Sequence, residues 1–255
     1  MAPTKEDVFT QFDPLLRRSD IATSPWRKSL YVADLDLLRE LLTLPIGAGD
    51  KQESGRPAKA FDAWIAHELR RAGFPPDGVW PRTRRPRVLP EDLAPLEKSM
   101  EALAEQLSES ETAAGGKRYL KNRHEEAAGE VMSLRARHPM ATMGYAYLVR
   151  KNVYDEEGAY AILFDILERL RRPGDAFDAA MLLVADWDDS EAAPKVSRID
   201  QPAQELDASR FFEDMVDWVT VRSPIKEHVE VRRRRSGEPV GGLPDEGDEE
   251  NAADE

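Results

Sequence analysis

The chain has 255 residues, enough for one large domain or two small ones with an ordinary apolar core. It contains no Cys, which excludes disulfides, thiolate zinc sites and a cysteine nucleophile, and makes a reducing compartment, the cytoplasm, the expected home. The formal net charge is −13, but eight acids and no base follow Arg235, so residues 1–237 carry −5 of it, and local basic patches rather than the sum decide on nucleic acid.

Met1 to Phe9 lacks the basic stretch and apolar core of a signal peptide, and no apolar run reaches the roughly 18 residues that span a bilayer, so a soluble protein is expected. Leu35, Leu37, Leu38, Leu41 and Leu42 fall at helical spacing behind Asp34, a capping residue, and Pro45 is expected to stop this first helix. The polar loop Gly47 to Gly55 follows. Pro57 opens a second helix with Phe61, Trp64, Ile65 and Leu69 on one face, ended by Gly73 and Pro75-Pro76.

The stretch Val79 to Arg87 is too rich in proline for a central strand and too basic for a core, so an extended surface segment is expected. A third helix from Glu91 carries Leu93, Leu96, Met100, Leu103 and Leu107. A fourth runs from about Asn122 to Arg137 with Ala127, Ala128, Val131 and Leu134 inward. Ala141 to Val149 reads as a buried strand, Glu157 to Arg172 as a helix and Ala179 to Trp187 as a second buried strand. Strand, helix, strand in that order implies a parallel pair joined by a crossover. Phe211, Phe212, Met215, Val216 and Val219 mark a last amphipathic helix. Beyond Arg222 the chain is charged, and residues 236–255 form an acidic, glycine-rich tail expected to be disordered. The expected organisation is a helical N-terminal region over 1–112, an α/β region over 113–235 and that tail.

The segment Gly116-Lys117-Arg118-Tyr119-Leu120-Lys121-Asn122-Arg123-His124-Glu125-Glu126-Ala127-Ala128-Gly129-Glu130 resembles the "(G)K-x3-N-R-x-E-E-x2-G-E" helix of a group of type II restriction endonucleases of the PD-(D/E)xK superfamily. The likeness continues loosely through Leu134 to Pro139, Gly144 to Arg150, Asp186-Trp187 and Phe211-Phe212, and covers most of residues 57–220. It implies a helix-rich α/β fold of the restriction-endonuclease-like kind with a small, reduced sheet, and a DNA-binding protein of a restriction or defence system. It further implies double-stranded DNA and a second copy of the chain as partners, with Mg²⁺ as cofactor if the chain cleaves.

Carried over residue by residue, the resemblance assigns catalytic roles to Lys121, Glu125 and Glu126, and DNA contacts to Lys117, Asn122 and Arg123. The family's metal chemistry needs an acid two residues before a lysine, so that carboxylates hold the metal and the ammonium sits by the attacking water. None of the ten lysines has an acid at that position. Between Val88 and Gly116, where the catalytic strands belong, stand a predicted helix and the run Ala113-Ala114-Gly115-Gly116. A DNA-binding protein deficient in nuclease activity is therefore set beside an active Mg²⁺-dependent endonuclease, and a protein-interaction module without DNA or catalytic activity is the rival class.

Other features keep two readings each. Arg82, Arg84, Arg85 and Arg87 beside Trp80 suit phosphate contact or a solvated loop equally. Glu125, Glu126 and Glu130 are favoured near a helix N-terminus by its dipole in any case. Arg232 to Arg235 suit a structural or autoinhibitory pairing with the acidic tail that follows, or DNA, equally. His67, His124, His138 and His228 show no ligand spacing, and Asp186, Asp188 and Asp189 read as the solvated exit of a strand.

Overall fold

The computed structural model describes residues 10–19, 23–48, 56–75, 78–79, 116–171, 176–188, 190–222 and 228–237, with the side chains of 116–126 outside the description. Among the described residues there are α1 (Asp13–Arg18), a hairpin of β1 (Trp26–Arg27) and β2 (Leu30–Tyr31), α2 (Leu35–Gly47), α3 (Arg56–Arg71), α4 (Gly116–Arg137), β3 (Gly144–Arg150), α5 (Ala159–Leu170), β4 (Ala179–Asp186), β5 (Arg198–Asp200), α6 (Ala208–Arg222) and α7 (Val229–Ser236). The architecture is mixed α/β and rich in helix, with one sheet of two strands and one of three. The expected helix from Glu91 lies outside the described residues, as do residues 80–87 and 238–255.

β4 lies between β3 and β5. It pairs parallel with β3 from Gly144 opposite Ala179 to Arg150 opposite Ala185, as strand–helix–strand order predicts, and antiparallel with β5 from Val184 opposite Asp200 to Asp186 opposite Arg198. Successive side chains of a strand point to opposite faces, and both faces of β4 are covered, whereas β3, also expected to be buried, is only partly so because it is the outer strand of the sheet. Ala179, Met181, Leu183 and Ala185 join a core with α2, α3 and α6, whereas Ala180 and Leu182 meet Leu163 and Leu167 of α5. That two-sided burial explains why β4 is apolar without alternation. The larger core runs from Phe12 to Val231 and so draws on both sides of residue 112.

Local chemistry accounts for the element ends. Asp34 caps α2 by accepting from the Leu37 amide at 2.9 Å. Pro45 does not stop α2: it sits in the last turn, where few later residues depend on the bond it forfeits, and its ring is buried. α3 closes on Gly73 at φ 104°, with Gly73 N donating to Arg70 O and Phe74 N to Leu69 O, the paired bonds of a left-handed C-terminal cap. α4 begins at Gly116, six residues ahead of the expected Asn122. α1, the short hairpin and β5 have too few residues to show periodicity and were not foreseen. α7 corrects the reading of the segment after Arg222 as merely charged chain.

Gly144 marks how tightly α6 lies on the sheet. A Cβ there would approach Phe211 Cζ at 2.7 Å and Met215 Sδ at 2.9 Å, closer than real contacts allow. At the same end Asp178, buried, accepts from the Met143 amide at 2.9 Å, from Arg135 at 3.1 Å and from both terminal nitrogens of Arg222 at 3.0 and 2.7 Å. Arg135 also donates to Ala176 O and Arg222 to Ala141 O. One carboxylate thus ties the ends of α4 and α6 to the amino ends of the parallel strands.

Candidate functional site

Arg82, Arg84, Arg85 and Arg87 lie outside the described residues. Lys117, Lys121, Asn122, Arg123, Glu125 and Glu126 are in the amino half of α4, where only the backbone is described. Positions 117 and 121 are one helical turn apart, as are 121 and 125.

Chemistry-bearing side chains do converge at the carboxyl end of the parallel pair. The chain leaves β3 for the α5 layer and leaves β4, by way of β5, for the α6 layer. The carboxyl ends of parallel strands are the usual place for ligands in open α/β sheets. Arg150 ends β3, and its guanidinium lies 4.4 Å over the Trp187 ring while donating to Trp187 O at 3.2 Å. Lys151 Nζ is 2.9 Å from Asp186 Oδ2, with the lysine side chain 53% exposed and the aspartate 25%. Asp188 accepts from the Ser190 amide at 2.8 Å, which holds its carboxyl below the usual range. The Asp186 carbonyl accepts from Ser197 N and Oγ at 2.8 and 3.0 Å.

Each of these carboxylates is engaged by its own partner instead of facing a shared point. Among the described residues no group of three or more His, Asp or Glu could hold a metal ion. Asp189 lies outside the described residues. What this edge carries is two cations, an indole and the carboxylates of Asp186 and Asp188, with Lys151 already paired to Asp186.

A second cluster is internal, and sequence reasoning missed it. Glu68 is fully buried, 2.6 Å from Arg71 and 3.0 Å from the Tyr31 hydroxyl, which also donates to the Glu68 carbonyl at 2.8 Å. Burial pushes the Glu68 carboxyl up against the pull of Arg71, and pushes the Tyr31 phenol up further, with Glu68 adding to it. His67 beside it is 3% exposed, and its Nε2 has no hydrogen-bond partner. Burial, then the charges of Arg71 and Arg70, lower its pKa to about 4. The signal was present in the sequence: positions 67 and 68 fall one turn, and 71 two turns, beyond Trp64 on the apolar face of α3.

The basic run Arg232 to Arg235 is also tied inward. Arg232 donates to Thr220 O at 2.8 Å and Arg234 to Arg71 O at 2.9 Å; Arg233 and Arg234 bind Glu230 at 2.7 and 2.6 Å, and Arg235 pairs with Asp217. These partners belong to α6, α3 and α7 itself; the expected pairing of the run with the acidic tail lies outside the described residues. No helix among them is long and apolar enough to cross a membrane. No family model, no curated protein and no solved structure matches this chain.

Proposed function

We propose that this chain binds double-stranded DNA across the carboxyl end of its parallel strand pair, as a restriction-endonuclease-like protein of a restriction or defence system that lacks efficient nuclease activity. The observation that carries the proposal is the placement of Arg150 and Lys151 beside Trp187 at that edge. α4 adds to it. A helix of 22 residues is about 33 Å long, and the seven residues of β3 span about 23 Å. α4 packs on α5 and hands over to β3 at the strands' amino end. On this reading its amino half, with Lys117, Arg118, Lys121 and Arg123, returns toward the carboxyl edge, and basic groups gathered there would suit the phosphate spacing of a duplex. Glu125 and Glu126, one turn further along α4, would flank the same edge; Mg²⁺ is the cofactor if any cleavage occurs.

The direct test is retention of assorted duplexes by the pure protein over a salt series, with and without Mg²⁺. Exchanging Lys151 for Ala is expected to weaken retention about equally for all sequences and to lower the salt slope by about one unit, the signature of a phosphate contact. Binding that is absent or indifferent to salt would instead support the interaction-module reading, which the exposed Leu30, Val32, Val221 and Val229 side chains favour. Rapid site-specific cutting in Mg²⁺ would restore the nuclease.

A further inference from the structure

We propose that α7 is a strap that a polyphosphodiester releases, exchanging the protein's own acceptors for phosphates on Arg232 to Arg235. The inference rests on the DNA-binding reading and adds regulation to it. Four consecutive arginines on a helix point all round its axis, about 100° apart, so a docked helix cannot offer them to one outside surface. Here they are divided among α6, through Thr220 O and Asp217, α3, through Arg71 O, and Glu230 of their own helix. Phosphate contact by the whole run requires undocking.

The seat is specific but polar. Gly73 sits under α7 with φ 104°, and a Cβ there would lie 3.0 Å from backbone atoms of Glu230 and Val231. Ser24 Oγ reaches the Arg234 carbonyl at 3.4 Å, and the Arg235 guanidinium lies 5.3 Å from the Trp26 ring centre. Of the two apolar side chains of α7, Val231 is buried and Val229 is 60% exposed. An eight-residue helix does not persist in water alone. Its N-cap, His228, has a positive φ of 51° and no capping side-chain bond. Docking held by charge-assisted bonds with so little apolar burial weakens as salt rises, and phosphates compete for the same guanidinium forks.

The absence of Cys lets a bimane label on Ser236→Cys, at the exposed end of α7, report contact with Trp26 by quenching, in the otherwise unaltered full chain. Trp26→Phe sets the unquenched level. Emission is expected to rise as KCl is added. At low salt it should also rise in step with duplex bound, measured in parallel by anisotropy of labelled duplex. With Asp217→Asn and Glu230→Gln together, half-release is expected at a three- to tenfold lower duplex concentration, roughly the loss of the part-exposed ion pair, Arg235 with Asp217, that ties α7 to α6, with Arg233 and Arg234 freed from Glu230 of their own helix. Duplex bound with emission unchanged overturns the strap and leaves the DNA reading standing. No binding overturns both. Emission indifferent to KCl while circular dichroism stays native shows a fixed clasp and overturns the strap alone.

Discussion

His67 gives the sharpest test of the packing. It is buried, its Nε2 finds no partner, and its pKa is lowered to about 4, whereas an unfolded histidine titrates near 6.5. A base whose pKa is depressed by folding is protonated first in the unfolded chain. Stability is therefore complete above pH 6.5 and drains away as pH falls toward 4. The full difference is worth about 3 kcal/mol, and about 2.5 kcal/mol of it is gone by pH 4.5. Other groups titrate in this window. Glu68, pushed upward, works in the opposite sense, because the folded state takes its proton more readily. Exchanging His67 for Leu isolates the histidine, keeps the volume similar and removes the unpaired nitrogen. In urea unfolding at pH 7 and pH 4.5, the stability difference between variant and wild type should shift by about 2 kcal/mol in the variant's favour on acidification. Curves that shift together within about 0.5 kcal/mol would show that His67 is hydrated in the fold and would refute the reasoning.

Asp178→Asn keeps the shape of the buried carboxylate but leaves Arg135 and Arg222 without their counter-charge; a loss of about 3 kcal/mol is expected in the urea midpoint at unchanged slope, and a loss under about 1 kcal/mol would contradict the assignment. Removal of residues 238–255, whose composition buries little apolar surface, should leave the melting temperature within about 2 °C of the full chain. Arg84→Ala with Arg85→Ala should lower the salt slope of duplex binding by up to about two units without changing the urea midpoint, since so basic and proline-rich a stretch has little apolar surface to contribute to a core.

The long elements were legible because burial writes its period into them. Leu37, Leu38, Leu41 and Leu42 of α2, Phe61 and Trp64 of α3, and Phe211, Phe212, Met215 and Val216 of α6 are all buried, on the faces their spacing indicates. β4 was legible as an unbroken apolar run, and the parallel pairing followed from strand order. The missed parts are short or polar. The hairpin of β1 and β2 turns through Lys28 and Ser29, both at positive φ and neither a residue that announces such a turn. α7 carries almost no apolar signal, because its partners are carbonyls and carboxylates remote in sequence. Glu68 and Asp178 look like any surface acid until the fold brings Tyr31, Arg71, Arg135 and Arg222 to them. At the carboxyl edge, Asp186, Asp188 and Asp189 read as the solvated exit of a strand, and the separate commitments of Asp186 to Lys151 and of Asp188 to the Ser190 amide depend on the third dimension.

Sorting the arginines by what they touch also sharpens what DNA binding can look like. A guanidinium already holding a buried carboxylate gains nothing from a phosphate unless that bond breaks, so Arg71, Arg135 and Arg222 drop out of any electrostatic footprint. Six expected contacts, from Arg82, Arg84, Arg85, Arg87, Lys117 and Lys121, correspond to a slope of about −5 in log K against log salt, and Arg150 with Lys151 would steepen it to about −7. Reaching about −11 requires four more phosphates, the number that Arg232 to Arg235 supply once α7 has left Gly73. If bound duplex releases α7, wild type and the variant with Asp217 and Glu230 exchanged for their amides share the steeper slope and the variant binds more tightly, whereas a slope near −7 in both would leave α7 out of the contacts.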